Sequence, residues 1–274
     1  MLKAIRVNLF QQMPNYRKPS SFLVRESYPL PPYSSVIGMI HAACGFEKYH
    51  SMKISIQGKN ASEVSDLCAF YNFCPDKCES DREYYSVTSE NGKKTGIIRT
   101  PKPTHLLTDV EMYIHILPEN DDDFDAILNG LKYPKEYISL GRREDIARID
   151  EVSTVFLKKI DIDDDDEMFY THKDYSAYLP NSYISDFDSK SGSIAGTIYK
   201  LPKVFEVTKN GRNLYNVYIP ELEFTVFEVT KNGRNWKEVI SARHLPPDKV
   251  ICDSVAENEN VFFDSEKNLP VFFA

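Results

Sequence analysis

Residues Leu2 to Phe10 alternate between apolar and polar, with Ile5, Val7 and Leu9 on one side and Arg6 and Asn8 on the other, the period of a half-buried strand. After a polar loop from Gln11 to Ser20, two prolines in Leu30-Pro31-Pro32-Tyr33-Ser34-Ser35 restrict the backbone ahead of serines that can cap a helix. The spacing of Val36, Ile37, Ile40 and Ala43/Cys44 predicts a helix starting near Ser34 or Ser35 and stopping at Gly45, a residue suited to a left-handed cap. Gly38 and Ala42, four apart on that helix, would let another backbone come close. Met52 to Gln57 predicts a second strand, while Ala61 to Phe73 fits either period and carries no assignment. Tyr84, Tyr85 and Val87, then Ile97 and Ile98, flank an Asn91-Gly92 turn signal, which predicts a protruding hairpin over Arg82 to Thr100. Beyond it, Leu106 to Leu117 predicts one strand, Asp121 to Leu131 a helix with acids at its positive end, and Tyr137 to Leu140 and Val152 to Leu157 further strands.

Strand, helix, strand, hairpin, strand, helix, strand is the order of a ferredoxin-like or RRM-like α+β domain, here residues 1–160 with the hairpin over about 82–100. RRM-like sheets are frequent RNA platforms, although the fold alone does not decide function. From about Met168 the pattern changes to short strands broken by Pro and Gly, a smaller β-rich region over 168–274. Within it the ten residues Val204 to Asn213 recur without a change at Val226 to Asn235. Divergent repeats seldom stay identical, so this points to a very recent duplication or an artefact of sequence assembly rather than to a repeat array.

Charge narrows the chemistry. The 274 residues carry a net charge of −8, which argues against nucleic-acid binding along the whole surface and confines any RNA site to a local patch. From Gly92 to His105 the bases Lys93, Lys94, Arg99 and Lys102 occur with no acid, whereas the acidic run from Asp161 to Glu167 reads as a solvated loop facing away from RNA. Five cysteines without a CxxC pair fit a reducing cytoplasm and no metal site. No apolar run reaches the length of a membrane span, so no membrane partner is expected.

None of the six histidines sits in a metal-ligand or nucleophile motif, and the common hydrolase, zincin and nucleotide-binding signatures are missing, so no cofactor is expected. The catalytic alternative is metal-independent RNA cleavage by Tyr33, Lys102 and His105, which requires the fold to bring them together. Leu140-Gly141-Arg142-Arg143-Glu144-Asp145 supports two readings equally. Its arginines fork onto phosphates or stack on bases, or they form a surface turn paired to its own acids.

Pro14-Asn15-Tyr16 with Ser20-Ser21-Phe22, Tyr28-Pro29-Leu30-Pro31-Pro32-Tyr33-Ser34-Ser35-Val36-Ile37-Gly38-Met39-Ile40-His41, and Tyr137-Ile138-Ser139-Leu140-Gly141-Arg142-Arg143-Glu144-Asp145 together resemble the CRISPR-associated "Cas five" subunit of type I Cascade, a RAMP-superfamily protein, with the nearest resemblance to the type I-B branch. Leu269-Pro270-Val271-Phe272-Phe273 is similar to the end of such chains. The resemblance implies a ferredoxin-like domain whose thumb hairpin inserts into the 5′ handle of the CRISPR RNA. It also implies a non-catalytic cytoplasmic role beside the large PAM-recognising subunit and the backbone subunits, near target DNA. In the type I-C branch the subunit cleaves the precursor RNA itself, which is the source of the catalytic alternative. The implied RNA contacts are Lys18, Ser20, Ser21 and Arg25 before the first helix, Tyr33, Ser34 and Ser35 at its N-terminus, Lys93, Lys94 and Arg99 on the thumb, and Arg142 with Arg143.

Overall fold

The alternation at the start of the chain becomes β1 (Leu2–Gln11), with Ile5, Val7 and Leu9 packed into the main core. The polar side is not open to water as a half-buried strand would have it: Ala4 and Arg6 are buried as well, because the C-terminal segment covers that face. The computed structural model describes the chain apart from residues 22, 75–84, 89–93, 161–169, 185–195, 210–213, 220–223, 230–231 and 250–260. Lys93, the Asn91-Gly92 turn and the acidic run Asp161 to Glu167 therefore lie outside the described residues.

After β1 come α1 (Tyr33–Cys44), β2 (Met52–Lys59), β3 (Ser62–Cys74), β4 (Tyr85–Thr88), β5 (Lys94–Thr108), β6 (Val110–Pro118), α2 (Asp122–Lys132) and β7 (Arg148–Lys159). The chain continues through β8 (Ser176–Pro180), a 3-10 turn at Asn181–Tyr183, β9 (Thr197–Lys209), β10 (Leu214–Ile219), β11 (Phe224–Val229), β12 (Asn232–Leu245), β13 (Phe262–Asp264) and β14 (Leu269–Val271). The protein is mostly β. One nine-stranded sheet runs β14-β13-β7-β1-β6-β2-β8-β12-β9, with every pairing antiparallel. Strands from the C-terminal part of the chain thus extend both edges of the sheet that β1, β2, β6 and β7 form.

α1 and α2 cover one face, and α1 also packs against β9. α1 ends where the sequence indicates: Gly45 takes φ 66°, and the amides of Gly45 and Phe46 close onto the carbonyls of Ala42 and His41. Its start differs. Pro32 occupies the cap position with no side-chain cap, and its carbonyl accepts the Ser35 amide at 3.0 Å, so the serines are helical rather than capping. The close helix contact is also elsewhere than expected. A Cβ on Gly130 would lie 2.9 Å from Cys44 Cα, whereas Gly38 has nothing within 4 Å.

Three strand boundaries depart from the periodicity. The unassigned stretch before Phe73 is β3, paired with β5 along its whole length. The run from Leu106 to Leu117 breaks at Asp109, whose φ of 49° turns β5 into β6. Tyr137 to Leu140 forms no strand, only the bridge Ser139–Ile146 that closes a tight loop.

On the face away from the helices, the C-terminal segment lies over a polar row. Arg6 donates to Asp264 at 2.9 Å and to Glu151 at 2.9 Å, and His115 meets Asp264 at 3.0 Å. The Phe272 amide donates to Ser55 Oγ, the Gln57 amide to the Pro270 carbonyl, and Ile54 and Ala274 exchange backbone bonds. No helix among the described residues is long and apolar enough to cross a membrane.

Candidate nucleic-acid interface

β3, β5 and β4 form a separate three-stranded ribbon. Residues 62–67 of β3 are all exposed, so this ribbon projects from the main sheet instead of covering it. Its pairing separates two faces, since residues directly opposite across an antiparallel pair share a side. One face carries Leu67 and Tyr71 with their partners Pro103 and Arg99; Leu67 and Tyr71 are 66% and 58% exposed, an unusual display of large apolar groups. The other carries Asp66, Cys68 and Phe70 opposite Thr104, Lys102 and Thr100.

The root of the ribbon is where two loops meet it. Residues 14–28 fold back on themselves through Arg17–Ser27 and Tyr28–Tyr16 pairing, and then dock on β5. The Arg25 amide donates to the Pro103 carbonyl and the Arg25 carbonyl accepts from the His105 amide. Asn15 fastens the junction: its side-chain amide donates to the carbonyls of Arg25 (3.0 Å) and His105 (2.6 Å), and its backbone amide donates to Asp145 Oδ2 at 3.0 Å. Gln11 donates to the carbonyls of Leu140 and Asp145 and accepts from the Tyr16 hydroxyl, tying the second loop to β1. Gly141 is required at φ 106°, because a Cβ there would sit 2.8 Å from the Asn15 carbonyl oxygen and 2.9 Å from Asp145 Oδ2.

Four arginines surround this junction in different electrostatic states. Arg142 is consumed: Nε and Nη2 grip Asp145, Nη2 also reaches the Met13 carbonyl, and Nη1 pairs with Glu144 at 3.3 Å. Burial acts to lower its pKa, but the bonds and charge of Asp145 outweigh it and the net direction is up. For Arg142, then, the surface turn paired to its own acids is the arrangement found. Arg143 is exposed and, among the described residues, has no partner. The Arg25 guanidinium lies 3.4 Å over the Phe70 ring. Its pKa is lowered, by burial first and then by the charges of Arg17 and Arg142. Arg17 is exposed and, among the described residues, its side chain donates only a long bond, 3.4 Å, to the Ser21 carbonyl.

The other residues implied for RNA fall into three groups. Lys18 pairs with Glu26 at 3.3 Å, and Ser21 is nearly buried, its hydroxyl accepting the Glu26 amide, while Ser20 is half-buried in the same turn. Arg99 and Lys102 lie on the ribbon, and Lys94 is placed there by its backbone, paired with Thr88. Tyr33 and Ser34 are buried and Ser35 half-buried. Tyr33 is fully enclosed beside Tyr178, and burial pushes its hydroxyl pKa well up. It therefore presents no side chain to a ligand from this position. Lys102 and His105 share β5, opposite Cys68 and Ser65, and no described contact joins either to Tyr33. Cys68 and Lys102 share the ribbon face of Phe70, whereas His105 lies on the opposite one. The Tyr33 hydroxyl has no hydrogen-bond partner among the described residues. Tyr33→Phe is thus expected to unfold at the same temperature or slightly higher in a thermal melt, since it removes a desolvated hydroxyl that gains nothing. A loss of more than about 1 kcal/mol would mean the hydroxyl is satisfied.

Sequence reasoning did not single out Arg17, Phe70, Gln11 or the bridging role of Asn15. Phe70 was legible only as one apolar residue in an ambiguous run, and its significance comes from a residue 45 positions earlier in the chain, Arg25.

The model of the family described as "CRISPR-associated protein (Cas_Cas5)" matches residues 4–228. No curated protein matches the sequence. Among solved structures the chain is similar to a chain of a CRISPR RNA-guided surveillance complex, at 16% identity over 90% of this chain and 91% of that one, with a TM-score of 0.49. It is similar also to a CRISPR protein from Archaeoglobus fulgidus (11% identity, 99% of each chain, TM-score 0.39) and to a chain of the type III-B Cmr-beta complex bound to cognate target RNA and AMPPnP (12%, 97% and 98%, TM-score 0.41).

Proposed function

This chain belongs to the CRISPR-associated Cas5 family, and we propose that it is the non-catalytic subunit of a type I Cascade, of the I-B branch, that binds and caps the 5′ handle of the CRISPR RNA. In that role it bridges the large PAM-recognising subunit and the backbone subunits in the cytoplasm, and target sequence is read by the guide rather than by this chain. The observation that carries the reading is the convergence at the ribbon root of Arg25 over Phe70, Lys102 on the same ribbon face and Arg143 exposed on the adjoining loop, with Arg99 on the opposite face of the ribbon. Guanidinium planes, an aromatic ring and phosphate-reaching cations gathered about one ribbon root are what an irregular single strand of RNA is held by. They also make the basic charge local on a chain of net charge −8. The central strand order β7-β1-β6-β2, with α1 between β1 and β2 and α2 between β6 and β7, supports a ferredoxin-like core, with the β3-β5-β4 ribbon as its thumb.

Incubation of the purified protein with labelled repeat RNA in EDTA, resolved on a denaturing gel and by gel shift beside a His105→Ala control, tests this directly. Intact RNA with handle-dependent retardation is the expected result. Site-specific cleavage that disappears in the control would instead make the protein a processing ribonuclease. Absence of any RNA binding would remove the capping role.

A further inference from the structure

Arg25 presents an electrostatic arrangement that the fold leaves uncompensated. Among the described residues, no carboxylate or carbonyl accepts a hydrogen bond from its guanidinium, and its Nε is buried without a partner. One face of the guanidinium is covered by Phe70, whose ring centroid lies 3.4 Å from Cζ. Two like charges act on it, Arg17 and Arg142, and they outweigh the opposite effect of Glu144. The nearby acids are engaged elsewhere: Asp145 and Glu144 on Arg142, and Glu26 on Lys18. Arg17 is exposed and loosely held. Arg17 pairs with Ser27 and the Lys18 amide bonds the Glu26 carbonyl, which sets Arg17 and Arg25 diagonally on the same side of the loop ladder, where a shared anion relieves their repulsion and supplies acceptors for both.

We infer that Arg17 and Arg25, with Phe70 as backing, form a site for a single phosphodiester of bound single-stranded RNA, distinct from the Asp145-locked Arg142. This rests on the RNA-binding reading and assigns it one charge-defined contact. Phosphate suits the geometry because Arg donors in one plane match two of its oxygens, and the second arginine meets the remaining charge. The backing ring makes the site rigid, so the preference falls on one linkage and not on any phosphate that drifts past. Arg142 serves as a spectator that adds positive potential without giving up its own bonds.

The test compares a single-stranded handle RNA with a series in which each linkage in turn is a neutral methylphosphonate. With the wild-type protein, one linkage should cost about tenfold in affinity, as expected for loss of one charge-assisted contact of about 1.4 kcal/mol. In Arg17→Gln/Arg25→Gln the natural RNA should bind about tenfold more weakly, with the salt slope reduced by roughly 0.7 per lost phosphate contact. The same methylphosphonate should then cost nothing further. Equal sensitivity at every linkage, or an unchanged penalty in the double variant, would overturn the assignment. So would displacement of RNA by poly-glutamate as effectively as by unlabelled RNA, which would give the site to an acidic protein segment.

If the wild-type chain binds no RNA, the capping function fails separately, and titration of 15N-labelled protein with inorganic phosphate decides the anion site. A saturating shift of the Arg25 Nε–H resonance, absent in Arg17→Gln, upholds it. No shift overturns it.

Discussion

Replacing Asp264 by alanine is expected to destabilise the protein by about 3 kcal/mol, a fall of roughly 6–10 °C in the thermal midpoint for a chain of this size. Asp264 is 1% exposed and its Oδ2 is shared by Arg6 Nη1 at 2.9 Å and His115 Nε2 at 3.0 Å, so the substitution strands two buried polar groups at once. Arg6 keeps Glu151 and Glu266, which places the cost at the lower end for breaking a buried pair. Glu266→Gln, which removes a partner 67% exposed, should cost less than about 1 kcal/mol in the same melt. Similar losses in both variants would mean that the network is not organised around Asp264.

The same network sets a pH dependence. Burial acts to raise the Asp264 pKa, but the bonds from His115 and Arg6 outweigh it and hold it down to about 2, against an ordinary 3.8. Its stabilising contribution is therefore complete above 3.8 and is lost as the pH falls toward about 2. His115 is lowered by burial, against the pull of Asp264, so it adds a loss that begins as the pH falls below its ordinary 6.5. Removing Asp264 should flatten the first of these two phases in a pH series of denaturation midpoints.

How far the sequence discloses this protein depends on whether a residue's environment is made locally. α2 and the end of α1 were legible because helical spacing, clustered acids and a glycine cap are properties of neighbours in the chain. β3 was not legible. Its residues 62–67 are exposed on both faces, so no alternation marks them, and the strand is defined only by pairing with β5 more than twenty residues away. Tyr33 shows the same limit at the level of a site: a tyrosine before two serines reads as a ligand group, but Tyr178, from the other half of the chain, packs beside it in the core. The loop from Leu140 to Asp145 was recognised as a unit, and periodicity could not decide between an arginine offered to phosphate and one spent on Asp145. In the fold the two arginines part, with Arg142 spent and Arg143 exposed. The Arg6 network was equally hidden, since a polar residue on an alternating strand normally points to water, and here strand β13 covers it with Asp264.

Asp145 offers the sharpest separation of positioning from contact. Its carboxylate, 2% exposed, accepts the Asn15 and Arg142 amides and both ends of the Arg142 fork. Through Asn15 it also holds the carbonyls of Arg25 and His105, where the loop docks on β5. Asp145→Asn keeps the shape but turns a donor toward donors. It should cost about 3 kcal/mol in stability, because the largely buried Arg142 loses its counter-charge. On charge alone the same change must strengthen RNA binding, since it removes a negative group beside the arginines and takes the net charge from −8 to about −7. If the carboxylate instead holds the ribbon root in shape, handle affinity should fall about tenfold, or 1.4 kcal/mol. The salt slope should meanwhile stay unchanged, as no phosphate contact has been deleted. Binding measured below the variant's melting range distinguishes the two, because they differ in sign: an affinity that rises leaves Asp145 with only a stabilising role, and one that falls at constant slope makes it the residue that aligns both loops with the ribbon.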